Sequence, residues 1–512
     1  MKNIFSALCV ALAFSGISLN AQVKSSSPSF ITDSLNNYIN QGLKDWNIPG
    51  LAISIVKDGQ VVLMKGFGVK DIKTNEPVDE NTLFMIASNT KLFTGTALAQ
   101  LEYNKKLSLN DKITKHLKYF SLFDKNSTEL ATIKDMLSHR IGTKTFQGDF
   151  TFWNSNISRQ AIISKMKLLK PTGLFRQDYG YCNSCFLTAG EIIPIVSNKP
   201  WEVYVYDSIL APLQMINTQM LTQGMSQRPN VSKGYTNAFT GKLKELPYDN
   251  LYSIGPAGSM VSNVKDMTKW LTMQLDSGKY EGKRILPWSV IQKTRDMNIS
   301  TGSRKSSVYP MNFRGYGLGV FMADYNGKQI YYHTGGAFGF VTNTCFVPEE
   351  KLAITILTNN DNPNFFELLR YQILDAYLGV PYVNRSKVQL DGFNKGLNKS
   401  VEDINKLKAR VKGNKSSTPI DVFVGDYSNE IYGPITIRKD KALNKLTINF
   451  KGQHSLSAAL EYMDNNEWLM TYNNIAYGIF ATKFKIENNK VISVDIKAND
   501  FVEYDSYIFI KK

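Results

Sequence analysis

Within the first 380 residues, strand-forming sequence lies at two widely separated places, and that separation is the strongest constraint on the fold. Near the start, Leu51–Val56 and Val61–Gly68 are apolar runs joined by the turn K-D-G-Q, whose Asp58-Gly59 pair is a strong hairpin signal. Far downstream come Lys328–His333, Phe340–Val347 and Leu352–Thr358, with connections short enough for an antiparallel meander. Mainly helical sequence lies between them, including Ser262–Leu271, and a further helix is expected over about 364–378. Two early strands and three late ones then belong to one sheet, with the helical middle packed beside it. This is an α+β architecture.

At 512 residues the chain is long enough for more than one domain. The stretch 384–417 is rich in Lys, Asn, Ser and Gly and reads as a linker, in which Ser400–Asp403 would cap a short polar helix. Beyond Pro419 the pattern changes to short alternating strands, among them Pro434–Arg438, Lys445–Phe450, Phe484–Ile486 and Val491–Ile496. Their close spacing predicts a small β-barrel. The expected division is a leader over 1–21, a main domain over 22–381, a linker over 382–417 and a lipocalin-like barrel over 418–512.

The leader follows from Lys2, the apolar run Ile4–Leu19 and the small residue Ala21 before a polar stretch. That is the pattern of a secretory signal peptide cleaved after Ala21, and the run is short for a membrane span. A periplasmic or secreted protein of the bacterial envelope is therefore expected, with no transmembrane segment after the leader. The net charge of +16 comes from basic residues spread along the chain without a dense run, so nucleic acid is not an expected partner. Oligomeric state is not legible.

The stretch Met85–Leu101 (M-I-A-S-N-T-K-L-F-T-G-T-A-L-A-Q-L) is an apolar helix with a lysine three residues after a serine. At that spacing Ser88 and Lys91 share one helix face. Phe93, Ala97, Leu98 and Leu101 bury the surroundings, and desolvation lowers a lysine pKa, so a neutral amine can accept the serine proton. A helix start also offers unpaired N–H groups to an oxyanion. The spacing alone is weak, because Ser54/Lys57, Ser164/Lys167 and Ser262/Lys265 share it. Tyr-x-Asn at Tyr181 recurs at Tyr38, Tyr235, Tyr248, Tyr382 and Tyr472.

Order and context add what spacing lacks. F-M-I-A-S-N-T-K-L-F-T resembles the nucleophile segment of the serine β-lactamase/penicillin-binding family, in the branch of class C β-lactamases, DD-peptidases and related esterases. Thr132–Thr143, Gly180–Gly190, Gly255–Met267, Tyr316–Val320 and Tyr332–Phe340 resemble later elements of that family, in order. The resemblance covers about 30–380 and implies the β-lactamase/DD-peptidase-like fold, an antiparallel sheet flanked by helices plus a helical subdomain. It implies Ser88 as nucleophile, Lys91 and Tyr181 sharing the general base and acid roles with either able to take the serine proton, and Asn183 as the residue holding Lys91 and a substrate amide. His333, Thr334 and Gly335 would bind substrate, and the N–H groups of Ser88 and Gly336 would form the oxyanion hole. It implies no metal and no cofactor. The substrate would be a small molecule or peptide, an ester, amide or D-amino-acid-containing peptide, with β-lactam hydrolysis or non-catalytic ligand capture as alternatives.

Two positions depart from the family pattern. Cys182 stands where serine is usual, and His333 stands where β-lactamases carry lysine, which weakens any grip on a carboxylate. A Ser-His-Asp triad is disfavoured, since no G-x-S-x-G accompanies a candidate serine. His116 reads as surface, His139 as a residue ordering its loop, and His454 is remote. Cys182 and Cys185 read as buried thiols, with a bridge between them as the alternative because they sit at helix-turn spacing and export permits oxidation, and neither has the partners of a zinc site. Loops 143–156 and 297–313 are expected to shape the cleft. Tyr427, Tyr432, Tyr462, Trp468, Tyr472 and Tyr477 are expected to fill or rim the barrel.

Overall fold

The computed structural model describes residues 27–362, 364–413, 416–440 and 445–512; the expected leader lies outside them. Nine strands form the main sheet: β1 (Gly50–Lys57), β2 (Gln60–Asp71), β3 (Glu76–Pro77), β4 (Ile299–Gly302), β5 (Arg314–Tyr316), β6 (Phe321–Tyr325), β7 (Lys328–Ala337), β8 (Phe340–Val347) and β9 (Leu352–Thr358). Their order is β4-β5-β6-β7-β8-β9-β1-β2-β3, so β1 from the start pairs antiparallel with β9 from the end. The five expected strands are its centre. The β1–β2 turn has both Asp58 and Gly59 at positive φ, the geometry that suits a two-residue hairpin.

Period-2 alternation along β1 assigns its two faces. Leu51, Ile53 and Ile55 pack with helices α1 (Leu35–Asp45) and α5 (Phe365–Tyr377) on one side. Ala52 and Val56 face the other side, against α2 (Thr90–Tyr103) and α4 (Val264–Leu275), where Thr268 of α4 donates to Ser54 at 2.8 Å. With both faces covered, β1, β8 and β9 are buried almost throughout. The short helix α3 (Asn183–Gly190) belongs to the helical side and packs on α2.

The segment expected as a linker is one helix, α6 (Arg385–Ala409). Its cap is Asn384, which accepts from the Lys387 N–H, so Ser400 sits in mid-helix and caps nothing. A polar sequence holds this shape because Asp391–Lys395, Lys399–Asp403 and Glu402–Lys406 are i,i+4 pairs. Each end is also fastened. Arg385 pairs with Asp375 and Ser386 accepts from Trp46, while Ile404 packs with Met463, Leu469 and Ile479 of the last domain.

That last domain is a closed antiparallel barrel of eight strands, from Gly425–Asn429 to Ser506–Lys511, the first pairing with the last. Its aromatics fill rather than decorate it. Tyr427, Tyr432, Trp468, Tyr472 and Tyr477 are buried, and Tyr462 packs its half-buried ring on Trp468. One end of the barrel is plugged from outside: Phe150 of the main domain sits among Tyr432, Phe450, Tyr472, Tyr477 and Tyr507, with ring centroids 5.0–6.4 Å away. Around it Gln453 donates to the carbonyls of Phe150 and Trp153. Phe150→Ala is expected to cost about 3–5 kcal/mol in urea unfolding, and Phe150→Leu under about 1.5 kcal/mol.

Candidate active site

Ser88 lies in the 3₁₀ turn Ala87–Asn89 that opens α2. The preceding residue, Ala87, holds φ +45, a strained conformation for a residue with a Cβ. The turn is fixed from behind, where Asn89 donates to the Ile86 carbonyl and to Thr342 of β8. Strand β7 passes in front so closely that a Cβ on Gly335 would stand 2.1 Å from the Ile86 oxygen. Only glycine fits there. Gly319, at φ +87, likewise backs onto the Lys91 carbonyl, which gives the Tyr316–Val320 element its place in the site.

Lys91 is fully buried. Its ammonium nitrogen lies 2.7 Å from Asn183 Oδ1, 2.7 Å from the Ala257 carbonyl and 3.0 Å from Ser88 Oγ. The first two partners only accept, so they take two of its protons. The third direction points at the serine hydroxyl, where a neutral amine presents its lone pair. Burial pulls Lys91 down to about 7, while the nearby Asp149 charge opposes the shift. Tyr181 shares the pocket, with Lys91 4.7 Å from its ring centroid and its phenol bonded to Ser88. Burial pushes that phenol upward, so it keeps its proton.

Asn183 reads both ways. Its oxygen accepts from Lys91, and its amide donates to Asp149 Oδ2 at 2.6 Å. Asp149 is itself buried and displaced well above the usual carboxylate range, chiefly by desolvation and next by the Glu503 charge. His139, at φ +55, accepts from the Cys182 N–H at 3.0 Å and so holds the Tyr181–Asn183 segment, its ring centroid 4.3 Å from that of Tyr181. Desolvation first, then the Lys91 charge, keeps His139 neutral.

His333 is neutral too. Its Nδ1 donates to the Thr334 carbonyl at 2.6 Å, which leaves Nε2 to accept from the Tyr316 hydroxyl at 3.0 Å. Desolvation, followed by the Lys91 charge, lowers it to about 3. Both ring nitrogens are spent inside the protein. The expected role of His333 in gripping a carboxylate therefore has no free donor behind it. Cys182 turns its sulfur to Ser184 Oγ at 3.2 Å, and Cys182, Cys185 and Cys345 are free, buried thiols. His116 is not a plain surface residue, because it is half-buried against Asp111.

The structure gathers Ser88, Tyr181, Asn183, His333, Thr334, Gly335 and Gly336 around one cavity of about 440 Å³, with Lys91 directly behind. Thr145, Phe146, Asp149 and Trp153 join them from the expected cleft loop, whereas no lining residue comes from 297–313. That second loop instead stacks Tyr309 on Tyr371, beside Arg385. Sequence reasoning passed over Asp149, although it is the lone charge in the aromatic run 145–153. It also passed over Asp500, Phe501 and Tyr504, which reach the cavity from the barrel. No signal in the local sequence distinguishes those three.

A serine in a tight turn, a buried lysine beside it, a Tyr-x-Asn helix start and a glycine-bearing strand define a class, and comparison agrees. Residues 35–378 match the profile of the family described as Beta-lactamase. The chain belongs to that family. It is 28% identical over 350 residues to Protein flp of Staphylococcus aureus (strain MRSA252), a match covering 67% of this chain and 66% of that protein. The match therefore spans just under two thirds of that relative's length. It is also 24% identical over 461 residues to Unguisins hydrolase ungD of Aspergillus violaceofuscus (strain CBS 115571), covering 82% and 79% of the two chains. In fold it is similar to the octameric penicillin-binding protein homologue from Pyrococcus abyssi. That likeness has a TM-score of 0.61 at 21% identity and covers 93% of this chain and 99% of the other. Gly335→Ala is expected to destabilise the protein by about 1–3 kcal/mol in thermal unfolding, because backbone rather than a flexible side chain must yield.

Proposed function

We propose that the protein is an exported serine hydrolase that forms an acyl-enzyme at Ser88. The observation that carries this reading is the placement of Lys91: buried, lowered to about 7, two protons committed to Asn183 and Ala257, and the remaining direction on Ser88 Oγ. Neutral Lys91 takes the hydroxyl proton as Oγ attacks a carbonyl carbon. The oxyanion forms between the N–H groups of Ser88 and Gly336, in the roles the family resemblance implies. Tyr181, still protonated, supplies a proton to the departing alcohol or amine and regains one from the Lys91 ammonium. Water then adds to the acyl carbon, gives its proton to the same basic pair, and releases acid and free Ser88. The chemistry uses no group beyond this chain.

Substrate class follows from the walls. Phe146, Tyr179, Phe321, Phe501 and Tyr504 give the cavity apolar sides, and the neutral His333 supplies no cation for a carboxylate. This supports an ester or amide, including a D-amino-acid-containing peptide, over efficient β-lactam hydrolysis. Export rests on the leader pattern of residues 1–21. Among the described residues no helix is long and apolar enough to cross a membrane.

Intact mass of the protein treated with a fluorophosphonate, and separately with a penicillin, tests the reading beside Ser88→Ala. One covalent addition from the fluorophosphonate, absent in Ser88→Ala, is expected; an addition that survives the substitution overturns it. With a p-nitrophenyl ester, kcat/KM should fall about tenfold per pH unit below about 7, because protonated Lys91 has no lone pair for Ser88. Lys91→Met should remove that limb and lower kcat by about 10²–10⁴.

A further inference from the structure

The barrel reaches Lys91 through three side chains, Glu503, Asp149 and Asn183, and the backbone turn between the first two. Glu503, on the loop before the last barrel strand, is buried where the two domains meet. One carboxylate oxygen accepts from the Gly148 N–H and the other from the Phe150 N–H, each at 2.8 Å. The Tyr507 hydroxyl donates to the same carboxylate. The residue between those two N–H groups is Asp149. Its side chain points the opposite way and accepts from Asn183, which accepts in turn from Lys91. Phe150 meanwhile is locked in the barrel's aromatic end.

Surface contacts between the domains do not have this character. Lys144 and Asp505 pair at 2.5 Å with both side chains about 40% exposed (39% and 42%), a geometry worth little in water. Glu503 is different because a buried carboxylate with two N–H partners has no solvent to replace them. Losing it leaves two buried donors without an acceptor at the one turn that carries Asp149.

We infer that Glu503 and Asp149 are positioning residues for the Ser88 reaction, Glu503 fixing the Gly148–Phe150 turn and Asp149 fixing Asn183, and through it Lys91, against the nucleophile. The barrel is then a working part of the active site rather than an appendage. This rests on the proposed Ser88 hydrolase.

The experiment uses the full chain and three variants, Glu503→Gln, Asp149→Asn and Asp505→Asn, read two ways. Hydrogen exchange by mass spectrometry over peptides covering 145–156 reports the turn, and the second-order rate of fluorophosphonate labelling at Ser88 reports the lysine–serine pair. Glu503→Gln should exchange faster in 145–156 and label on the order of tenfold to a hundredfold more slowly, with the rest of the exchange map unchanged. Asp149→Asn should slow labelling to a similar degree without speeding exchange in 145–156, since its side chain holds Asn183 and not the turn. Asp505→Asn should match the parent in both readouts. A loosened turn with undiminished labelling, or an Asp149→Asn that labels as fast as the parent, overturns the inference and leaves the hydrolase reading standing. A parent protein that does not label at Ser88 overturns the hydrolase reading, and this inference with it.

Discussion

The site depends on one burial. An ammonium group taken out of water is costly, and at Lys91 the compensation is only partial: one side-chain amide, one peptide carbonyl and one hydroxyl. Full ion pairing would have left a permanent cation. With no carboxylate in contact, the amine is held near the point where it gives up its charge. Asp149 sits one residue further out, behind Asn183, near enough to be felt and too far to bind. The protein around this lysine is arranged to support that intermediate state. Strand β7 presses Gly335 on the Ser88 turn, Gly319 backs the lysine's own carbonyl, and Asn89 ties the turn to β8.

The histidines show the same economy of charge. His139 and His333 flank Lys91, and a second cation beside it would push its pKa lower still. Each imidazole is buried, neutral and committed to a local bond: His139 to the Cys182 N–H, His333 to the Thr334 carbonyl and Tyr316. Their role is to hold backbone and rings in register. A lysine in place of His333 would bring a second ammonium into a site where burial already lowers the first.

The pieces of this arrangement that were legible in the sequence are those with local rules. Ser88 and Lys91 stand out through helix spacing, and the sheet stands out through alternation and a hairpin turn with Asp58-Gly59. The filling of the barrel by Tyr427, Trp468 and Tyr472 follows from period-2 patterning. Helix α6 reads as a linker in sequence because composition speaks louder than its i,i+4 charge pairs, and because its anchors at Trp46 and in the Ile404 pocket lie far away in the chain. Asp149 and the barrel residues at the cleft were not legible for the same reason. Their partners are Asn183, Gly148 and Phe150, and nothing near Asp500 or Glu503 in the chain announces a contact some 350 residues upstream.

That long-range contact explains why the barrel sits where it does. Phe150 and Asp149 are adjacent, and the turn they share sends one side chain into the barrel's aromatic end and the other towards Asn183. The backbone between them is clamped by Glu503. A rigid turn of this kind cannot release the aromatic plug and keep the carboxylate in place, so packing strength in one domain becomes positional accuracy in the other. Domain interfaces are ordinarily more polar and more mobile than cores. This one places a fully buried phenylalanine, a buried carboxylate and part of the cavity lining within a single short segment.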